Sequence, residues 1–187
     1  MTRIPSALAF VIWLGLLGAG LALFMDYDTR PGAVGSVAES RPSRESELLY
    51  FVHPHCPCAR AGLTLLSKLD RADLGRIRIV FVVPDGAPAD WRRGASWDLA
   101  RAVPRADLEI DEGGHLARSY GVRTSGHTLI YESDGQLQFS GGITGSRSPS
   151  PSPGDGSWDW KKLVEESPAP VHRPVVGCPL FDDADGE

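Results

Sequence analysis

The sequence contains little cysteine, and this scarcity excludes one class of protein. Its 187 residues include three cysteines, of which Cys56 and Cys58 are near neighbours and Cys178 is distant. Small secreted proteins that depend on a disulfide framework need several cysteine pairs, so this chain is not one of them. Two cysteines in a short motif and a third far away indicate chemistry rather than covalent cross-linking.

The chain also lacks an excess of basic residues. Lys and Arg number 19 against 24 Asp and Glu, which gives a formal net charge of -5 at pH 7. The acidic excess lies in residues 155–187, and the part before it is neutral. Because no basic surface is available to neutralise phosphates, we expect no nucleic-acid partner.

Long apolar runs are absent except near the N-terminus, where residues 4–25 contain no charged side chain. About 20 apolar residues in a helix span a bilayer, so residues 1–25 are predicted to be a transmembrane anchor. A cleaved signal peptide is the alternative, because small residues at 20–22 offer an acceptable cleavage site. Arg3 precedes the run and two aspartates follow it, which places the domain outside the cytoplasm. We therefore expect a single-pass protein of the cell inner membrane whose domain faces the periplasm.

Composition divides the remainder of the chain into three parts. Residues 26–47 mix Pro, Gly, Ser and charged residues without an apolar period, so we expect a linker. Residues 48–166 contain alternating strand and helix patterns and form the predicted domain. Residues 167–187 are an acidic tail, expected to be extended or disordered apart from any role of Cys178.

The apolar pattern of the domain predicts five strands and four helices. The predicted strands are 48–53, 76–83, 107–111, 127–132 and 136–139, and the predicted helices are 59–74, 89–103, 115–120 and a short one near 158–166. The order β-α-β-α-β-α-β-β-α predicts an α/β domain with a mixed central sheet. Strands joined by helices pair in parallel, and the last two form an antiparallel hairpin at the sheet edge.

The motif HPHCPC at residues 53–58 joins the first predicted strand to the first predicted helix. Pro57 suits the first helical position, which would place Cys56 at the N-cap, beside unpaired backbone N–H groups and the positive end of the helix dipole. Both effects lower the pKa of a thiol and favour the thiolate, which serves as a nucleophile or as a ligand for a soft metal. The alternative is that both cysteines are small buried hydrophobic residues.

These features resemble those of membrane-anchored, exported proteins of the thioredoxin fold over about residues 48–166. YFVHPHCPCAR stands where that family has a strand, a Cys-x-x-Cys motif and a basic residue, and SYGVRTSGHTLIYESDGQLQFSGG stands where it has its cis-proline loop and final hairpin. HPHCPC, TSGHTL, FSGGITGSR and the terminal GCPL are similar to a bacterial family often labelled RedB, related to thiol reductases of cytochrome maturation and to Sco-type copper proteins. The resemblance implies a thioredoxin-like fold and a thiol–disulfide oxidoreductase that acts on exported protein thiols or disulfides without a cofactor. Cys56 would be its thiolate nucleophile.

Two features depart from the pattern of that family. One residue separates Cys56 from Cys58 where the family has two, so a disulfide between them would be strained, and either Cys58 or Cys178 is the resolving thiol. His127 stands before Thr128, where the family has its cis-proline. Sco-type proteins place a metal-binding histidine there, so this resemblance implies an alternative function, copper binding and delivery by Cys56, Cys58 and His127. A histidine that only caps the strand end is the other possibility.

Two further residues are expected to support the site. His55 occupies the position of a tryptophan common in thioredoxins, and its imidazole could steady a neighbouring thiolate. Cys178 lies between the apolar segments 174–176 and 180–181, which a disordered tail would leave in water. We therefore expect the tail to pack on the domain and to hold Cys178 within disulfide reach of Cys56, with Cα atoms within about 7 Å.

Overall fold

The chain forms two compact units, Met1–Arg30 and Pro31–Glu187. The computed structural model describes residues 6–42, 45–69, 75–91, 94–151 and 167–181. The first unit contains one helix, α1 (Ser6–Thr29). It is long and apolar enough to cross a membrane, with a mean hydropathy of 2.3 in its apolar window, and its large apolar side chains are exposed.

The second unit is built on a six-stranded mixed sheet. Its elements are β1 (Glu47–Val52), α2 (Ala59–Leu66), β2 (Arg76–Val83), α3 (Ala95–Arg101), β3 (Ala106–Glu112), α4 (His115–Ser119), β4 (His127–Tyr131), β5 (Leu137–Gly142) and β6 (Val171–His172). The strand order is β3-β2-β1-β4-β5-β6. Strands β1, β2 and β3 run parallel, β4 pairs antiparallel with β1 and β5, and β6 pairs parallel with β5.

The sheet is buried on both faces because its central strands are apolar throughout. In β1, Leu48, Tyr50 and Val52 pack in a core cluster that includes residues of α2 and α3. The alternate residues, Leu49 and Phe51, pack in a second cluster on the opposite face, which includes a residue of α4. This is the side-chain alternation of a strand covered on both faces, and it gives the domain three layers.

The described residues form a mixed α/β domain, as the sequence predicted, but several element bounds differ. Helix α2 ends at Leu66 rather than near residue 74, and α3 begins at Ala95, because residues 89–91 form a turn. The predicted helix near 158–166 lies outside the described residues. The predicted edge hairpin is wrong in one respect: β6, from the tail, covers the outer side of β5.

Part of the segment that the sequence indicated as a linker lies along the domain. The Gly35 N–H donates to the Gly121 carbonyl oxygen at 2.8 Å, and the Arg41 N–H donates to the Gly135 carbonyl oxygen at 2.8 Å. Each bond satisfies a backbone group of a loop that would otherwise depend on water. The stretch between Pro31 and Arg41 is therefore an integral part of the second unit.

Candidate functional site

Three thiols from distant parts of the chain meet at one point. The Sγ atoms of Cys56, Cys58 and Cys178 all lie within 4.8 Å of one another. No disulfide joins them, since all three cysteines are free. Cys56 and Cys58 are buried, with 1% and 6% of their surface exposed, whereas Cys178 is half-buried. Cys178 is thus the thiol of this cluster that reaches furthest toward solvent.

The turn between β1 and α2 places the first two thiols. Cys58, and not Cys56 as predicted, is the N-cap residue of α2. The reason is that Cys56 and Pro57 belong to the preceding turn: the Cys56 N–H donates to the His53 carbonyl oxygen at 2.9 Å, and the Arg60 N–H donates to the Pro57 carbonyl oxygen at 3.1 Å. The positive end of the helix still stabilises a thiolate at Cys56, because the backbone N–H of Ala59 donates to its sulfur.

The third thiol is positioned by the tail, which packs on the domain as the sequence predicted. Its apolar residues Val175 and Val176 are buried, and the Ser125 N–H donates to the Cys178 carbonyl oxygen at 2.8 Å. Gly177 allows this approach, because a Cβ atom there would lie 2.0 Å from the Ser125 carbonyl oxygen. The tail therefore brings the Cys178 sulfur within 4.8 Å of the other two.

The pKa values of the three thiols are shifted in different directions. Hydrogen bonds from the side chains of Cys178 and Cys58 lower the pKa of Cys56 well below its usual range, and the N–H groups of Cys178 and Ala59 contribute in the same direction against the opposing effect of burial. The pKa of Cys178 is raised, because its proton is held in hydrogen bonds to Cys56 and Cys58 and because the thiol is partly buried. At neutral pH the cluster therefore consists of a Cys56 thiolate that accepts hydrogen bonds from protonated neighbours.

The pKa of Cys58 results from opposing effects. The hydrogen bond with Cys178 lowers it, but the hydrogen bond with Cys56, burial and the negative charge on Cys56 prevail, so the pKa of Cys58 is raised. The positive charge of Arg147 acts in the lowering direction. A second ionisation beside the Cys56 thiolate is thus unfavourable unless a cation accompanies it.

Two neighbours of the thiols were missed by the sequence analysis. The guanidinium of Arg147 donates to the Gly177 carbonyl oxygen at 2.6 Å, next to Cys178 in the chain. The Tyr50 hydroxyl donates to the Ala59 carbonyl oxygen at 2.9 Å, and burial, followed by the nearby charges of Cys56 and Cys58, raises its pKa, so it stays protonated. A lone hydroxyl within the apolar run of β1 is a signal for Tyr50, since a buried tyrosine needs a partner. The sequence offers no such signal for Arg147.

His127 lies apart from the three thiols. It is fully buried, its Nε2 lies 2.9 Å from the Ser140 Oγ, and its Nδ1 has no hydrogen-bond partner within the described part of the chain. Burial lowers the pKa of His127 to about 4, so the imidazole is neutral at pH 7. In β4 its side chain lies on the same face as Leu129 and Tyr131, which pack in the cluster on the sheet face opposite Cys56. The group of mutually close ligand atoms contains the three sulfurs and not this imidazole.

A cleft of about 610 Å³ lies where β2 and β3 end. Its walls include His53, Trp91, Arg118 and Pro179 and none of the three cysteines. His55 is exposed and stands edge-on to Trp91, with ring centroids 4.7 Å apart, rather than joining the sulfurs. The cleft lies beyond the carboxyl ends of parallel strands, where ligands of α/β sheets commonly bind.

The chain resembles several solved structures at low sequence identity. An uncharacterized conserved protein from Geobacillus kaustophilus matches with a TM-score of 0.56 and 17% identity, over 83% of this chain and 90% of that one. A hypothetical protein from Sinorhizobium meliloti matches with a TM-score of 0.52 and 12% identity, over 82% of this chain and 96% of that one. The N-terminal domain of PilB from Neisseria gonorrhoeae gives a TM-score of 0.41 and 13% identity, over 68% of this chain and 80% of that one. No family model and no curated protein sequence matches the chain. At these identities the first two similarities establish a shared α/β fold and nothing about activity.

Proposed function

We propose that this chain is a membrane-anchored, extracytoplasmic thiol–disulfide oxidoreductase of thioredoxin-like fold. The observation that carries the proposal is the meeting of three free cysteine sulfurs, all within 4.8 Å of one another, at the turn between β1 and α2. Hydrogen bonds from its neighbours lower the pKa of Cys56, which supports a thiolate there. A thiolate is the reactive form in disulfide exchange, so the cluster provides a nucleophile at neutral pH. The fold is compatible with this function, since Cys56 and Cys58 follow a central strand and precede a helix.

The reaction consists of two exchanges. The Cys56 thiolate attacks one sulfur of a partner disulfide, that S–S bond breaks, and the released partner thiolate takes up a proton. Cys178 or Cys58 then loses its proton and attacks the Cys56 sulfur, which frees the second partner thiol and leaves an intramolecular disulfide. Two electrons pass from the domain to the partner, and a dithiol donor of the same compartment returns them in the next cycle.

Access to Cys56 depends on the tail. With 1% of its surface exposed, Cys56 cannot meet a protein disulfide while Cys178 covers it. The first exchange therefore requires the segment around Cys178 to move outward, which uncovers the thiolate. Once the mixed disulfide has formed, the return of that segment brings Cys178 back within reach of the Cys56 sulfur.

Trapping the mixed disulfide tests this proposal. The full chain is expressed in a bacterial host as the double variant Cys58→Ser/Cys178→Ser, acid-quenched, alkylated and separated without reductant. We expect Cys56 adducts with host proteins that disappear on reduction, and no adducts in the matched triple variant that also carries Cys56→Ser. In purified, detergent-solubilised protein, Cys56→Ser should reduce a model disulfide only at the uncatalysed rate. The absence of adducts together with an unchanged reductase rate would overturn the proposal.

A further inference from the structure

The three sulfurs are also placed so that they suit the binding of a metal ion. A disulfide joins two sulfurs at about 2.05 Å and leaves the third unused. A metal ion at the centre of a sulfur triangle, with bonds of about 2.3 Å, requires sulfurs about 4 Å apart. The Sγ atoms of this cluster all lie within 4.8 Å of one another, so small rotations of the side chains suffice.

We infer that Cys56, Cys58 and Cys178 form a three-thiolate site that binds one Cu(I) ion per chain. The site differs from the one that the sequence indicated, because Cys178 takes the place of His127 as the third ligand. The inference does not depend on the proposed redox function. A chain without disulfide exchange could still bind the ion through the same sulfurs.

The positions of the three sulfurs show where such an ion would sit, since the Sγ atoms all lie within 4.8 Å of one another. A cation that enters this triangle replaces thiol protons as the positive charge between the sulfurs. The N–H groups of Ala59 and Cys178 and the charge of Arg147 offset part of the negative charge that three thiolates leave.

The kind and number of ligands select the ion. Thiolate sulfur is a soft ligand, which favours Cu(I), zinc and iron–sulfur clusters over Mg²⁺ or Ca²⁺. Structural zinc sites almost always have four protein ligands. Within the part of the chain that the structure describes, no His, Asp or Glu atom joins the three sulfurs as a fourth ligand. Cu(I) is stable with three thiolates, so it is the cation that this site fits.

Burial protects such a complex. The two cysteines of the turn are almost fully buried, and the tail covers them with Cys178 itself. A buried three-sulfur site keeps water and dioxygen from the ion, which maintains the reduced state. The bound ion would also occupy the Cys56 sulfur, so one molecule cannot hold Cu(I) and exchange disulfides at the same moment.

Anaerobic Cu(I) titration tests the inference on the full, detergent-solubilised and fully reduced chain. The chromophoric chelator bathocuproine disulfonate competes for the ion, and X-ray absorption identifies the ligand atoms. We expect one Cu(I) per chain with three sulfur scatterers and no imidazole. Each single variant Cys56→Ser, Cys58→Ser or Cys178→Ser should weaken binding by at least about 100-fold. Loss of a residue that binds the ion directly should weaken binding at least as much as loss of a residue that only supports a ligand.

The matched control is His127→Ala, which should bind one Cu(I) with the same three sulfurs. Loss of binding in that variant, nitrogen among the scatterers, or two-sulfur coordination that persists in Cys178→Ser would overturn the inference. Circular dichroism verifies that each variant is folded, and Cys178→Ala provides a second tail variant if Cys178→Ser unfolds. Reduction of a model disulfide by the metal-free chain is measured separately, so failure of the copper site and failure of the redox proposal give different results.

Discussion

At the scale of single residues, the surroundings of Cys56 favour its charged form, whereas those of His127 favour its neutral form. The Cys56 thiolate is buried but accepts four hydrogen bonds, and these outweigh the cost of burying its charge. The His127 imidazole is also buried, yet one ring nitrogen contacts Ser140 and the other has no hydrogen-bond partner among the residues that the structure describes. Burial therefore disfavours a positive charge on the ring, so His127 remains neutral.

This difference predicts how the stability of the domain depends on pH. Burial lowers the pKa of His127 from its ordinary value of 6.5 to about 4. The unfolded chain therefore binds a proton below pH 6.5 that the folded chain does not bind until about pH 4. Stability attributable to His127 is fully present above pH 6.5 and falls on acidification to about pH 4, by on the order of 3 kcal/mol in total.

His127→Gln should remove this loss of stability between pH 6.5 and pH 4, because glutamine keeps a hydrogen-bonding group near Ser140 but does not titrate in this range. Urea unfolding at pH 7, 6, 5 and 4 measures the effect, and His172→Gln at an exposed position is the matched control. If the variant and the native protein lose stability in parallel, His127 is not a buried neutral base.

Residue identity alone points to the proposed nucleophile but not to its surroundings. The HPHCPC motif indicates Cys56 and Cys58 because cysteines at a strand-to-helix turn meet unpaired N–H groups. The resemblance to Sco-type proteins predicts His127 at the same site, because those proteins place a metal-binding histidine at that point. The His127 side chain is directed by strand alternation to the other sheet face, which follows from the register of β4 and not from local sequence.

At the scale of elements, the tail is as much a part of the domain as a strand. Its main chain forms β6 against β5, and further along the Leu180 N–H donates to the Arg123 carbonyl oxygen at 2.9 Å. The apolar residues around Cys178 predicted this packing, because they would otherwise face water. The two-residue strand β6 has no such signal: Val171 and His172 follow a proline-rich segment, and β5 supplies the hydrogen bonds that make them a strand.

The contact between Arg147 and the tail predicts what controls access to Cys56. The Arg147 guanidinium donates to the Gly177 carbonyl oxygen at 2.6 Å and thereby holds the residue next to Cys178. Arg147→Ala removes this bond, so the tail should open more often and expose the buried thiolate. We expect the rate at which iodoacetamide alkylates Cys56 in the folded, reduced chain to rise by about tenfold, because a charge-assisted bond contributes roughly 1.5 kcal/mol.

Peptide mass spectrometry after timed quenching gives the rate for each cysteine separately. Arg101→Ala, which removes an exposed arginine at the end of α3, should leave the alkylation of Cys56 unchanged. Arg147→Lys retains the positive charge near Cys58 without the same hydrogen-bond geometry, so it distinguishes the charge from the bond. Equal alkylation rates of Cys56 in Arg147→Ala and in the native chain would contradict the prediction that Arg147 holds the tail in place.

At the scale of the whole molecule, the chain combines a thiol site in a folded domain with an apolar helix. Helix α1 has 24 residues, which at 1.5 Å per residue gives about 36 Å, enough for a hydrocarbon core of about 30 Å. Its large apolar side chains are exposed along its length, which is unfavourable in water and favourable in lipid. An anchor would confine the thiols to the membrane surface, where the number of partners they meet is limited.

The last prediction follows from that helix and its flanking charges. Arg3 precedes the apolar run, and Asp26 and Asp28 follow it. Positive charge is retained on the cytoplasmic side, so the domain should lie outside the cytoplasm.

Expressed in a bacterial host, the full chain should remain in membranes after carbonate extraction, and its intact mass should include residues 1–25. Alkaline phosphatase fused after Glu187 should be active, because that enzyme folds only after export. Exchange of Arg3 for Glu together with Asp26 and Asp28 for Lys should lower that activity, whereas exchange of Asp134 for Lys in the exported domain should not. A soluble product cleaved near residues 20–22 would exclude the anchor, and an inactive fusion in a membrane-bound chain would exclude the orientation.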